Sequence, residues 1–279
     1  MTGERYCGAR FKMHLKRWMT GMLAVPVLIL LIGFGPRWSF FLLLCVVSAA
    51  GMIEFYRLAV PGVHGAYRWT GVFLSLWAFF MIYCGNVYAL IAVISLWAFI
   101  PLTGLMLTHH SSAGRSPEEM AMILLGAVYV CLPLGMILMM GRYPQGSLWI
   151  FFLLAVVFAG DTGAFYSGML FGKHKLYRAV SPGKTWEGAI GGLVSSLIVA
   201  FWFLRIFRIH PVDPAVMGMT AALSVSAQIG DLVESMLKRH HGVKDSSRIL
   251  PGHGGILDRI DGLLFATPVL FLFLGYRMA

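Results

Sequence analysis

Charge is what this 279-residue chain has least of. Asp, Glu, Lys and Arg make up 12% of it, against about 25% in an ordinary soluble domain. Hydrophobic residues make up 58%, and the mean hydropathy is +0.78. No polar stretch is long enough to form a soluble domain, so the chain reads as one integral membrane unit. Cysteine is also sparse: Cys7, Cys45, Cys84 and Cys131 are scattered, mostly in apolar runs, with no C-x-x-C spacing. That argues against a cysteine zinc site and against a disulfide framework. No internal repeat is present. Acidic residues number 12 against 22 basic ones, for a formal charge of +10. The basic residues fall between apolar runs and not along one face, which argues against nucleic acid as a partner and for a membrane and a phosphate-rich substrate.

Charge-free runs locate the membrane spans, each needing about 20 mostly apolar residues. They fall at 18–36, 38 to about 58, two within 69–114, then 120–141, 147 to about 168, 188–204, about 214–237 and 262–276. The expectation is an all-α integral membrane protein with about nine transmembrane helices and cytoplasmic loops at its active site. The double pass in 69–114, which lacks Asp, Glu, Lys and Arg, is expected to break near Gly85-Asn86. Arg5, Arg10, Lys12, Lys16 and Arg17 place the N-terminus in the cytoplasm, because positive residues stay inside. Alternation then puts the loops holding Lys173, Lys175 and Lys184, and Lys238 to Arg248, on the same side. The basic start followed by an apolar run lacks a small-residue cleavage site, so it reads as an uncleaved anchor. Three regions result: a basic segment 1–17, a transmembrane region 18–145, and a catalytic transmembrane region 146–279.

The remaining polarity is concentrated. Residues 231–261 hold ten of the chain's charged side chains, in surroundings where an unpaired charge costs about 2.5–3.5 kcal/mol or more. A chain that clusters them there is using them.

Two segments carry this chemistry. The first runs from Asp161-Thr-Gly-Ala-Phe-Tyr166 through Lys173-His-Lys175 to Ser181-Pro-Gly-Lys184-Thr-Trp-Glu-Gly188. Its Gly-Lys-Thr is not a P-loop, since Arg178 stands where that motif needs glycine. It reads instead as a basic loop ending at a helix start, with Ser181 as N-cap and Pro182 at the first position. Lys184 would then stand at a natural anion site. Asp161 ends an apolar helix, and either pairs with a buried cation or lines a polar cavity.

In the second segment Asp231, Ser235 and Lys238 recur at i, i+4 and i+7, one face of a helix. Asp258 and Asp261 likewise share a face and would repel each other without a cation between them. Hard carboxylate oxygens suit Mg²⁺, with room for a second cation. Arg248 and Arg259 offer bidentate contacts to phosphate. Gly252, Gly254 and Gly255 could expose a nest of N–H groups to an anion, with His253 as a donor beside it.

These residues resemble a known signature. Ser235-x-x-Lys238-Arg239, Lys244-Asp245 and Pro251-Gly-His-Gly-Gly-x-x-Asp258-Arg259-x-Asp261 are similar to the phosphatidate cytidylyltransferase, or CDP-diacylglycerol synthase, family. The Asp161–Tyr166 and Lys173–Gly188 stretches resemble it too, with Met169 where a basic residue is more usual. The resemblance covers residues from about Asp161 to the C-terminus. It implies a multi-pass enzyme of the bacterial inner membrane, often a homodimer, that uses CTP and phosphatidate. Asp231, Asp258 and Asp261 match positions of the metal site, and Ser235 and Lys238 match positions tied to substrate phosphate and catalysis. Lys173, Lys184, Arg239, Lys244, Arg248, His253, Gly254 and Arg259 are the candidate substrate-binding residues. A CTP-dependent lipid or polyprenol kinase, or a cation-coupled transporter, would fit a similar distribution of charge less well. The charges cluster at helix ends and loops and not at mid-membrane.

Overall fold

The computed structural model describes residues 26–61, 65–108, 117–243, 246–247 and 254–278. The basic segment 1–17, part of the first expected span, and Lys244, Arg248, Gly252 and His253 lie outside them.

A short helical stretch closes with a π-turn at Leu30–Phe34. There follow α1 (Arg37–Ala59), α2 (Gly65–Cys84), α3 (Val87–Thr108), α4 (Pro117–Gly126), α5 (Leu132–Met140) and α6 (Gly146–Phe171). A two-stranded antiparallel hairpin, β1 (Lys175–Tyr177) and β2 (Ser181–Thr185), leads into α7 (Trp186–Phe207), α8 (Pro214–His240) and α9 (Leu257–Met278). Helices α4 and α5 are one rod through a π-segment at Ala127–Cys131. Pro133 accounts for the irregularity, because it has no N–H to donate and crowds the preceding turn.

With α4 and α5 counted as one, the described residues form eight helical rods after the short stretch at 26–34, and six of them are long and apolar enough to cross a membrane. The chain is a multi-pass, all-helical membrane protein apart from the hairpin. Nine spans were expected. The apolar part of α2, Arg68–Cys84, is shorter than the six, and α9, with charges in its first and last turns, is not among them.

Helix ends follow local chemistry. The break at Gly85-Asn86 falls where expected: Gly85 takes φ 76°, and the Asn86 side chain accepts from the Ala89 N–H at 3.0 Å. Asp213 caps α8 by accepting from the Val216 N–H at 2.8 Å, with Pro214 at the first position. That hydrogen bond holds the Asp213 carboxyl below the usual carboxylate range.

The start of α7 differs from expectation. Ser181 and Pro182 belong to β2, and Thr185 is the N-cap, its hydroxyl accepting from the Gly188 N–H at 3.1 Å. Pairing of β2 with β1 keeps Ser181–Thr185 extended, so the helix can begin only at Trp186.

Helix α7 shows the membrane logic of the fold. Gly188, Gly192, Ser196, Ala200 and Leu204 are buried, whereas Ile190, Val194, Ile198, Trp202 and Ile206 are exposed. Both sets recur every fourth residue, so small residues face the bundle and large apolar ones face lipid. The small face lets α6 come close. A Cβ on Gly163 would overlap Ser195, one on Gly191 would overlap Ser167, and Ser196 donates to the Val156 carbonyl at 3.0 Å. Helices α8 and α9 approach in the same way at Gly230, where a Cβ would lie 2.6 Å from the Asp261 carbonyl oxygen.

Candidate active site

Close approach at Gly230 sets the site. It places Asp231, the next residue on α8, beside the second turn of α9 and Asp261. Asp161 of α6 completes an acidic group whose members sense one another's charge. Lys184, the penultimate residue of β2, reaches into this group and pairs with Asp231 at 2.7 Å. The hairpin therefore positions a cation that sequence reasoning had placed at a helix start.

Asp161, Lys184 and Asp231 line a cavity of about 470 Å³, and Asp261 is not part of its wall. Asp161, Ser181, Lys184, Thr185, Gln228 and Asp231 give it a polar side, and Phe165, Met169 and Leu176 an apolar one. Of the two readings of Asp161, the cavity-lining one holds. Met169, standing where a basic residue is more usual, contributes apolar wall. The cavity suits a ligand with a polar head and a hydrocarbon flank.

A second cluster lies behind. Lys238 is held between Glu234 at 2.5 Å and Asp258 at 2.8 Å. Its side chain is 13% exposed and that of Glu234 1%, so the ammonium is committed to these two carboxylates. The stripe Asp231–Ser235–Lys238 is thus divided in use. Asp231 turns to Lys184, with Ser235 a weak donor to it at 3.5 Å, and Lys238 turns to α9.

Asp258 and Asp261, one turn apart, also point to different tasks. Asp258 accepts from Lys238, from the Ser246 N–H at 3.1 and 3.2 Å, and from the Gly255 N–H at 2.8 Å. Asp261 has its own Gly262 N–H at 2.8 Å and Asp231 nearby. Gly254 takes φ 79°, and a Cβ there would press on the Asp258 carboxylate. Of the three glycines expected to form a nest for a bound anion, Gly252 lies outside the described residues and Gly255 gives its N–H to one of the protein's own carboxylates. Gly255 serves Asp258, while Ile256 and Leu257 serve Glu54.

The other candidates are dispersed. Lys173 is exposed and lines a separate recess with His174, Lys175, Arg178 and Trp186. Arg239 is exposed at the end of α8. Arg259 is exposed on α9, near enough for its charge to act on Asp161. Lys244, Arg248 and His253 lie outside the described residues.

Sequence reasoning missed several participants. Glu54 and Glu234 are buried carboxylates, and for Glu54 its place inside an apolar run was the available signal. Glu187 ties the hairpin to α7: its carboxylate takes the His174 N–H at 3.2 Å and contacts His174 Nδ1 at 2.6 Å. Gln228 donates to the Ala189 carbonyl at 3.2 Å, joining α8 to α7 beside the cavity.

Helices α6 and α8 bring carboxylates, and the hairpin a lysine, to a half-polar cavity of a multi-pass membrane protein, a candidate site for group transfer. The chain belongs to the cytidylyltransferase family, whose model matches residues 15–277. It is similar to the phosphatidate cytidylyltransferase of Bacillus subtilis (strain 168), with 34% identity over 269 residues, covering 93% of this chain and 97% of that one. The Staphylococcus haemolyticus phosphatidate cytidylyltransferase is 34% identical over 262 residues, 92% of this chain and 98% of the relative. That of Staphylococcus aureus (strain COL) is 41% identical over 186 residues, 66% and 71% respectively. The chain is a nucleotidyltransferase.

Proposed function

We propose that this enzyme transfers the cytidylyl group of CTP to phosphatidate, giving CDP-diacylglycerol and pyrophosphate. The observation that carries the reading is the Lys184–Asp231 pair in a cavity with one polar and one apolar side. An oxygen of the lipid phosphate attacks the α-phosphorus of CTP. The bond to the β-phosphate oxygen breaks, and pyrophosphate leaves with the electron pair. The nucleophile is already an anion, so no strong base is required, and positioning with charge neutralisation does most of the work. Lys184 neutralises phosphate charge at the cavity, Arg259 adds a second cation on α9, and Phe165 and Met169 guide the lipid's hydrocarbon.

Magnesium is the expected cofactor, and the donor chemistry fits it. Asp231 and Asp261 offer hard oxygens where α8 and α9 meet, and Mg²⁺ commonly takes one or two carboxylates, with water and substrate phosphates completing its shell. Among the described residues no group of three or more His, Cys, Asp or Glu is drawn together to hold a metal. Asp258, also expected as a ligand, has its oxygens engaged by Lys238 and loop N–H groups, so it would join the shell only if one of these gave way. When bound, the cation would offset charge on the attacking and leaving oxygens.

The proposal includes the bacterial inner membrane, with the hairpin and the 239–255 loop on the cytoplasmic side, and a homodimer. The test is an assay of the purified protein with phosphatidate and CTP labelled at the α-phosphorus. Label retained in lipid with release of pyrophosphate is the expected result. Lipid labelling from the γ-phosphate alone would indicate a kinase and sink the reading.

A further inference from the structure

Glu54 belongs to the half of the chain in which no chemistry was expected. It lies near the end of α1 and is fully buried. Among the described residues four donors converge on its carboxylate. Oε1 accepts from Ser247 Oγ at 2.6 Å and the Ile256 N–H at 3.1 Å. Oε2 accepts from Ser246 Oγ at 3.1 Å and the Leu257 N–H at 2.8 Å. The two serines stand 192 and 193 residues away in the chain.

The geometry is selective. Ile256 and Leu257 offer N–H groups at the start of α9, where a helix has donors without intrahelical partners and a positive end. Glu54 therefore caps α9 from another helix. Gly255 sits so close that any Cβ would overlap both Ser246 and the Glu54 carboxylate. Asp258 binds the Ser246 and Gly255 N–H groups, so the same two loop segments are tied twice, by Asp258 from within the signature and by Glu54 from outside it. Where α9 begins determines where its second and fifth residues, Asp258 and Asp261, meet Lys238 and Asp231.

We propose that Glu54 is a positioning residue of the active site: it clamps Ser246–Ser247 to Ile256–Leu257 and so sets α9 in register with α8. It acts through Asp258 and Asp261 and does not touch substrate. The kinetic part of this inference rests on the proposed reaction; the structural part does not. A carboxylate is required because an amide at this position would turn its NH₂ group toward N–H donors, and an aspartate is one methylene short.

The test uses the full-length protein in detergent: wild type, Glu54→Gln, Glu54→Asp and Ser247→Ala. Three quantities are read: hydrogen exchange of the peptide containing Ile256 and Leu257, the melting temperature, and kcat with KM for both substrates. Losing hydrogen bonds to a charged acceptor is expected to speed exchange at those amides by about 10-fold to 100-fold in Glu54→Gln. Exchange in α6 and α7 should stay unchanged, kcat should fall by a similar factor, and KM for phosphatidate should stay within about twofold. Glu54→Asp should restore part of both effects, and Ser247→Ala should fall between it and wild type. Wild-type exchange at Ile256 and Leu257, or an unchanged kcat, in Glu54→Gln overturns the proposal. So does protection lost uniformly across α6 and α7, with kcat falling only with the folded fraction. If Glu54→Gln is not recovered folded, Ser247→Ala decides by the same readouts. A wild-type protein that releases no pyrophosphate from CTP overturns the reaction instead, and the exchange measurement still decides the role of Glu54.

Discussion

Lys184 Nζ meets Asp231 Oδ2 at 2.7 Å, joining the β-hairpin before α7 to the middle of the charged end of α8. The pair is partly exposed, with side chains 26% and 40% accessible. Screening in such a setting makes its own contribution to stability small, and its cost is acceptable because each partner has further work in the cavity. Lys184→Ala is expected to lower kcat by a factor of about 10²–10³, the scale for losing one preorganised charge at a developing oxyanion. The melting temperature should change little. Steady-state kinetics beside thermal unfolding in one detergent checks this, and an unchanged kcat would remove Lys184 from the phosphate site.

Lys238→Ala should behave in the opposite way. Removing the ammonium leaves Glu234 and Asp258 facing each other without a cation, and breaking a buried pair costs about 3–5 kcal/mol. Stability and activity should fall together. Arg239→Ala, at an exposed position, should shift stability by no more than about 0.5 kcal/mol. A Lys238→Ala protein with wild-type melting but no turnover would mean that the lysine contacts substrate.

The three aspartates separate by readout. Asp231→Asn and Asp261→Asn should abolish turnover while the protein still folds and inserts, because the two carboxylates stand where α8 and α9 meet at Gly230. Asp258→Asn should also speed hydrogen exchange at Ser246 and Gly255, whose N–H groups it holds. Magnesium titrations combined with exchange measurements distinguish the two behaviours. Normal activity of Asp261→Asn at saturating Mg²⁺ would remove that residue from the metal site.

Gly230→Ala tests the helix approach itself. Its new methyl would lie 2.6 Å from the Asp261 carbonyl oxygen, backbone that cannot rotate away. Overpacking of this kind costs about 1–3 kcal/mol, and by displacing α9 it should lower kcat more than the stability loss explains. Gly218→Ala in the same helix, with open space around it, is the control. Equal behaviour of the two variants would refute the packing argument.

Single cysteines at 175 and 145 test the topology. The first lies on the hairpin and the second between α5 and α6. Impermeant reagent added outside intact cells should label position 145 and leave 175 untouched. Labelling of 175 from outside would overturn the cytoplasmic entry of the nucleotide.

The sequence by itself determined the membrane class, the family and most of the apolar helices. Apolar runs, Gly-Asn at a helix break and Asp-Pro at a helix start act over a few residues, so they are legible along the chain. The Ser181 N-cap misled because a strand pairing competed with the local capping preference, and that pairing depends on residues outside the helix. Which carboxylate serves which cation was not legible either. Helical periodicity put Asp231, Ser235 and Lys238 on one face, but it could not tell that Lys184 would take Asp231 and that Asp258 would take Lys238. Glu54 looked like an isolated charge in a greasy helix until α1 was set beside the start of α9. Only the tertiary structure decided these partnerships, because a buried charge must find its counterparts in space, and those can lie nearly two hundred residues away.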